Sequence, residues 1–370
     1  MRKRIAILTS SRADYSIYYP LIKKIHEDEN FELNIIAFGS HFSEKYGNTF
    51  QNIINDGFEI NFKITSNFSG DSPIDISNYI GNTILQFGQI WQSQHFDLVI
   101  CLGDRFEMFA AMASGVPFNI NYAHLYGGET TLGAIDNSLR HAISHFSKLH
   151  FTSCEQYKNR LIELMGDSHN IYNIGSLSYD NFNQIELPSK ADFLHSLGMN
   201  SDKEFILTTF HPETIAFEKN KFFAEELCLA IEKLNQYNFL ITMPNADTSS
   251  QVIRDSFEAL SESHDHVFTS ENLGTVKYLA AIKHCALMLG NTSSGFVEAA
   301  YFPTKVVNLG DRQAGRIITP NIINSSINCD SIVQSVQKAS QLNLLQIENI
   351  YGNGNAAEKI MRHIYQYLGI

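Results

Sequence analysis

The constraint that most limits this chain is an alternation. Short apolar runs of strand length are separated by longer stretches with helical periodicity. The runs RIAILTS (4–10), FELNIIAFG (31–39), FDLVICLG (96–103), VPFNINYAH (116–124), LHFTS (149–153) and NIYNIG (170–175) read as buried strands, and 15–27, 105–114 and 137–149 read as amphipathic helices between them. Nearly continuous apolar runs linked by helices predict an α/β fold with a parallel sheet covered on both faces. The pattern then restarts. Strands are expected at 204–212, 238–245, 265–270, 286–291 and 304–310, with helices near 218–235, 250–262, 274–284 and 294–301. Residues 176–203, polar and carrying Pro188, separate the halves. The expected layout is two doubly wound Rossmann-type domains, 1–176 and 177–354, facing a central cleft. A C-terminal helix, 355–370, is expected to pack back on the first domain.

Composition narrows the function. A hydrophobic content of 44% with 18% charged residues suits two full cores. The net charge of −12 argues against a nucleic-acid partner, which would call for a basic face. The start has only four apolar residues in a row, IAIL, and no stretch reaches the length of a membrane span, so neither a signal peptide nor a membrane is expected. The five cysteines are odd in number and lack a C-x-x-C pair, which predicts free thiols in a reducing cytoplasm and no zinc site.

In doubly wound sheets ligands gather at the C-terminal ends of the strands. Polar clusters follow the predicted strands at those ends. SSRADYS (10–16) brings Arg12, Asp14 and Ser16, and GDRFE (103–107) brings Asp104 and Arg105. HLYGGETTLGAIDNSLRH (124–141) brings His124, Glu129, Asp136, Arg140 and His141 around paired glycines. The second half adds His211 and Glu213 in HPET, Asn245 and Asp247 in PNAD, GNTSSGFVE (290–298) and GDRQAGR (310–316). Any one cluster could be a helix cap; their recurrence at one edge of two sheets argues for a site. GNTSSGFVE is the clearest anion site. Thr292, Ser293, Ser294 and Gly295 would offer backbone amides at a helix start, and Glu298 could accept both hydroxyls of a ribose. Arg312 and Arg316, with Arg12 from the other domain, would bind a diphosphate. GNGNAA (352–357) imitates a dinucleotide fingerprint, but no strand follows to complete the unit.

Taken in order, SRADYS, GSHFSEKYGNT, LGDRFE, H-x-x-GGE, Asp-x3-Arg-His, FHPET, PNADT, GNTSSG-x-x-E, GDRQ-x-GR and YGNGNA resemble the hydrolysing UDP-N-acetylglucosamine 2-epimerases of the bacterial NeuC type, from about residue 4 to 365. The resemblance implies a GT-B-like fold and a UDP-sugar substrate. It implies release of UDP and N-acetylmannosamine for sialic-acid synthesis, no cofactor, no obligatory metal, and a homodimer or homotetramer. It implies catalytic roles for Asp104, Glu129, Asp136 and His211. Substrate contacts are implied from His41 of GSHFSEKYGNT and from Phe268, besides the residues named above. Two positions depart from the pattern. Tyr126 stands where relatives carry His or Glu, and Asn137 stands where they are often acidic.

Such a reaction eliminates UDP from C1 while a proton leaves C2, giving a glycal to which water adds with C2 inverted. Positive charge builds at C1, as in glycoside hydrolysis, so carboxylates belong near the sugar and cations near the diphosphate. Glu129 or Asp136 is expected to take the C2 proton, with Asp104 assisting or placing water. His211 and Arg12 are expected to stabilise the leaving group, and Arg140 and His141 to hold the sugar or tune the carboxylates. A close alternative substrate is UDP-2,4-diacetamido-2,4,6-trideoxyhexose. More distant alternatives are a GT-B glycosyltransferase and a non-catalytic nucleotide-sugar sensor.

Overall fold

The computed structural model describes all residues except 1, 45–46, 66–69, 71, 133, 200–201, 214–216, 245–249 and 345–348. The chain forms two compact units. The first comprises Met1–Glu129, Asp136–Gln184 and Ile350–Ile370; the second comprises Thr130–Ile135 and Ile185–Asn349.

Among the described residues the first unit has seven strands: β1 (Lys3–Thr9), β2 (Phe31–Ala37), β3 (Ile60–Lys63), β4 (Leu98–Leu102), β5 (Tyr122–Leu125), β6 (Leu149–Thr152) and β7 (Ile171–Asn173). Their order is β3-β2-β1-β4-β5-β6-β7, and neighbours pair in parallel. Successive strand residues feed opposite faces. Ile5 and Ile7 join one core, while Ala6 and Leu8 join the other, and all four are fully buried. This two-sided burial is what the apolar runs of the sequence encode.

The second unit repeats the design with β8 (Phe205–Thr209), β9 (Asn238–Thr242), β10 (Val267–Ser270), β11 (Leu287–Gly290), β12 (Val306–Leu309) and β13 (Ile322–Ser325), ordered β10-β9-β8-β11-β12-β13. Ile206 packs into one core and Leu207 into the other. In each sheet the chain winds outward from one strand, then returns to that strand's other side. The reversal falls between β1 and β4 in the first unit and between β8 and β11 in the second.

The α/β doubly wound class expected from the sequence is the fold observed, with differences of detail. The run 116–124 yields a strand only at Tyr122–Leu125, because Val116–Phe118 turns through a 3-10 helix containing Pro117, and Asn119 is left-handed at φ 53°. The helix expected at 294–301 is reduced to the single turn Glu298–Tyr301 after a 3-10 turn at Ser293–Gly295. The C-terminal helix, Ala356–Leu368, lies in the first unit, where Ala356, Ala357, Ile360 and Ile364 join a core with β1 residues. Helix Ser178–Gln184 belongs to the same unit, and its Asp180 carboxylate accepts the Ala356 and Ala357 amides at 2.9 and 3.1 Å. All five cysteines are free. No helix among the described residues is long and apolar enough to cross a membrane.

Candidate active site

The clusters after β1, β4, β8 and β11 lie on the strands between which each sheet reverses its winding, the place where open α/β sheets bind ligands, and those after β5 and β12 follow the adjacent strands. At the end of β1, Asp14 is buried, and its carboxylate accepts the Ser10 and Ser11 amides at 2.7 and 2.8 Å and the Thr9, Ser10 and Ser11 hydroxyls. Thr9 in turn meets His41 Nε2 at 2.9 Å, and Thr49 meets His41 Nδ1 at 2.9 Å. His41 is fully buried, and burial pushes its pKa down to about 4. Asp14 and His41, expected as substrate contacts, are therefore turned inward. They shape the loop that carries Arg12, the half-buried first residue of helix Arg12–Glu27. Ser16 is half-buried in that helix, and its carbonyl accepts Asn181 Nδ2 at 2.8 Å.

At the end of β4, Asp104 forms a charge-assisted hydrogen bond with Arg140, from helix Asp136–Phe146. Arg140 also donates to the Glu129 carbonyl at 2.9 Å, and it is 3% exposed. The buried Glu129 carboxylate accepts the Ser153 hydroxyl at 2.9 Å. Asp136 opens the helix, half-buried. Asp104, Glu129 and Arg140 are thus drawn into one cluster by hydrogen bonds, with Asp136 one helical turn before Arg140. Arg105 instead forks onto the fully buried Glu107 at 2.9 and 3.2 Å. His141 is half-buried, with its pKa lowered by burial and then by the neighbouring Arg140 cation.

His124 also departs from expectation. It is fully buried, donates from Nε2 to the Gly103 carbonyl at 2.8 Å, and receives Ser144 Oγ at Nδ1 at 3.0 Å. Burial pushes its pKa down to about 3, so it is a neutral ring that holds the Gly103 carbonyl, just before Asp104. Tyr126, left-handed at φ 67°, accepts the Leu177 amide at 2.8 Å through its hydroxyl. The glycine pair serves packing: a Cβ on Gly128, at φ 79°, would lie 2.2 Å from the Tyr157 carbonyl oxygen.

In the second unit, His211 follows β8 and is 9% exposed. Glu213 is buried, accepts the Asp311 amide at 3.0 Å, and has its pKa raised by burial. Arg312, half-buried, donates to the Pro212 carbonyl at 3.3 Å. Arg316, 9% exposed, donates to Gln313 at 2.6 Å. Thr292 caps the Ser294 amide at 3.4 Å; Ser293 is exposed, Gly295 buried and Glu298 half-buried. The GNTSSG stretch, expected to bind an anion at the start of a helix, forms this tight turn and not the start of a long helix. Phe268, half-buried, packs against the second unit's core. Asn245, with Asp247, lies outside the described residues.

Sequence reasoning overlooked three second-unit residues. Burial raises the Tyr278 pKa. Asn291 binds the His211 backbone through its side chain, and Gln313 donates to the Asn291 carbonyl. Both lie inside motifs whose hydroxyls and arginines drew attention first, whereas Tyr278 has no motif signal.

Two doubly wound parallel-sheet α/β units in one chain define the GT-B-like class. A crystal structure of UDP-GlcNAc 2-epimerase from Neisseria meningitidis bound to UDP-GlcNAc shares this fold, with a TM-score of 0.81 at 17% identity, covering 98% of this chain and 100% of that one. Residues 23–365 match the UDP-N-acetylglucosamine 2-epimerase family, and the chain belongs to it. It is 35% identical to the hydrolysing GDP/UDP-N,N'-diacetylbacillosamine 2-epimerase of Campylobacter jejuni, over 88% of this chain and 85% of the relative. It is 32% identical to the hydrolysing UDP-N,N'-diacetylbacillosamine 2-epimerase of Legionella pneumophila, over 97% and 94%.

Proposed function

We propose that this enzyme breaks the C1–O bond of a UDP-2-acetamido sugar and inverts C2, releasing UDP and the free 2-epimer, and that the sugar is 2,4-diacetamido-2,4,6-trideoxyglucose. The carrying observation is the similarity, along most of the chain, to two hydrolysing enzymes named for that sugar. The site chemistry supports the same reaction. Glu129 or Asp136 takes the C2 proton, the C1–O electron pair leaves with UDP, and a glycal remains. Water then adds its hydroxyl to C1, and C2 is reprotonated from the other face. Asp104, oriented by Arg140, assists that proton traffic or places the water. His211, Arg12 and Arg312 take up the charge of the leaving diphosphate. A second reading, UDP-GlcNAc giving N-acetylmannosamine for sialic-acid synthesis, is favoured by the ordered motifs and by the family's description.

A proton NMR time course in D2O, with each sugar nucleotide in turn and no acceptor, tests both readings. UDP and a C2-deuterated 2-epimer from the trideoxy sugar support the first reading; the same outcome from UDP-GlcNAc alone selects the second. An unchanged spectrum with both sugars removes hydrolytic epimerisation and leaves a transferase or a sensor.

A further inference from the structure

We propose that Asn291 is a positioning residue for His211, acting as a two-bond clamp on its backbone. Its side-chain amide accepts the His211 N–H at 2.7 Å and donates to the His211 C=O at 2.8 Å. His211 lies beyond the last β8 residue, Thr209, so the strand ladder no longer serves its backbone groups; buried groups of this kind need another partner. A carboxamide has one acceptor and two donors, and here both peptide groups of one residue are matched by one side chain. Asn291 is fully buried.

Its place is set by Gly290 at the end of β11. At φ 145°, a Cβ there would lie 2.0 Å from the Thr209 carbonyl oxygen, so only glycine lets the two strand ends close in. The clamp is itself held: Gln313 donates to the Asn291 carbonyl at 2.8 Å and accepts from Arg316 at 2.6 Å. Asn291, His211, Gln313 and Arg316 are all 9% exposed or less. Three motifs, FHPET, GNTSSG and GDRQAGR, thereby become one hydrogen-bonded unit. An aspartate would face the His211 carbonyl with a second acceptor, so the clamp requires the amide.

The proposal rests on His211 serving the reaction described above. In the full-length enzyme, Asn291→Ala and Asn291→Asp should each lower kcat by about 10- to 100-fold, the scale of a misplaced group, with KM shifted less than about threefold. Asn291→Ala should have no further effect in a His211→Ala background. Loss by the same factor in both backgrounds, or a raised KM with kcat intact, overturns the clamp. Should Asn291→Ala fail to fold, Gln313→Ala, one bond removed, should show a smaller kcat loss that also vanishes in the His211→Ala background. If His211→Ala keeps full kcat, or the native enzyme turns over neither sugar, the functional reading fails by itself. The clamp is then judged by hydrogen exchange at the His211 amide. Exchange at least about 100-fold faster in Asn291→Ala supports it, and unchanged protection overturns it.

Discussion

Asp104 receives its hydrogen bond from a guanidinium that also donates to the Glu129 main chain, so one arginine orients two of the proposed carboxylate residues. Replacing Asp104 by Asn preserves shape and removes the charge. Turnover should fall by about 10²–10⁴-fold, the usual share of a general acid or base, with UDP affinity nearly unchanged by calorimetry. Near-normal turnover in both Asp104→Asn and Glu129→Gln would sink the carboxylate assignment. Arg140→Lys keeps the cation but loses the fork. At 3% exposure this should cost about 1–3 kcal/mol of stability in urea titrations, beside a loss of kcat. A stability equal to the native protein's would show that the fork is not what holds the cluster.

At the scale of elements, the loop after β5 is shaped by what lies behind it. Gly128→Ala must hold a side chain at φ 79° against the Tyr157 carbonyl, and should lower stability by at least about 1–3 kcal/mol. A thermal melt within a degree of the native protein's would contradict that packing account. The same loop shows how far the sequence could be read. Its residues stood out as a chemical cluster, and Asp104, Glu129 and Arg140 do meet. The direction each side chain takes was not legible: the motifs do not show that His124, Asp14 and His41 are buried and hydrogen-bonded to neighbouring protein groups. Strands covered on both faces announce themselves by continuous apolar runs. The edge strands β3 (INFK) and β13 (IINS), each with one neighbour, carry shorter or alternating runs and escaped notice. Asn291 and Gln313 were visible as polar letters, but backbone clamping leaves no periodic trace.

For the whole molecule, three buried imidazoles make the fold sensitive to acid. His41, His124 and His150 have their pKa values pushed down by burial to about 4, 3 and 4. Above the ordinary value near 6.5 they are neutral in both folded and unfolded chains and favour neither. Below it the unfolded chain binds protons that the folded one refuses. Stability should therefore fall as pH drops from 6.5 towards 4, each ring costing about 1 kcal/mol by pH 5.5. Urea midpoints at pH 7.5 and 5.5 measure this, and His150→Phe should flatten the dependence. Equal midpoints would show that the rings titrate normally.

The first unit also takes its last core residues, including Ile360 and Ile364, from the far end of the chain, beyond the entire second unit. During synthesis on the ribosome, β1 to β7 emerge first, yet they wait with an apolar face uncovered until helix Ala356–Leu368 is made. The second unit, encoded later, has all its strands in hand sooner after they appear. The half of the protein born first is thus the last to be finished, and for that interval it keeps apolar surface exposed.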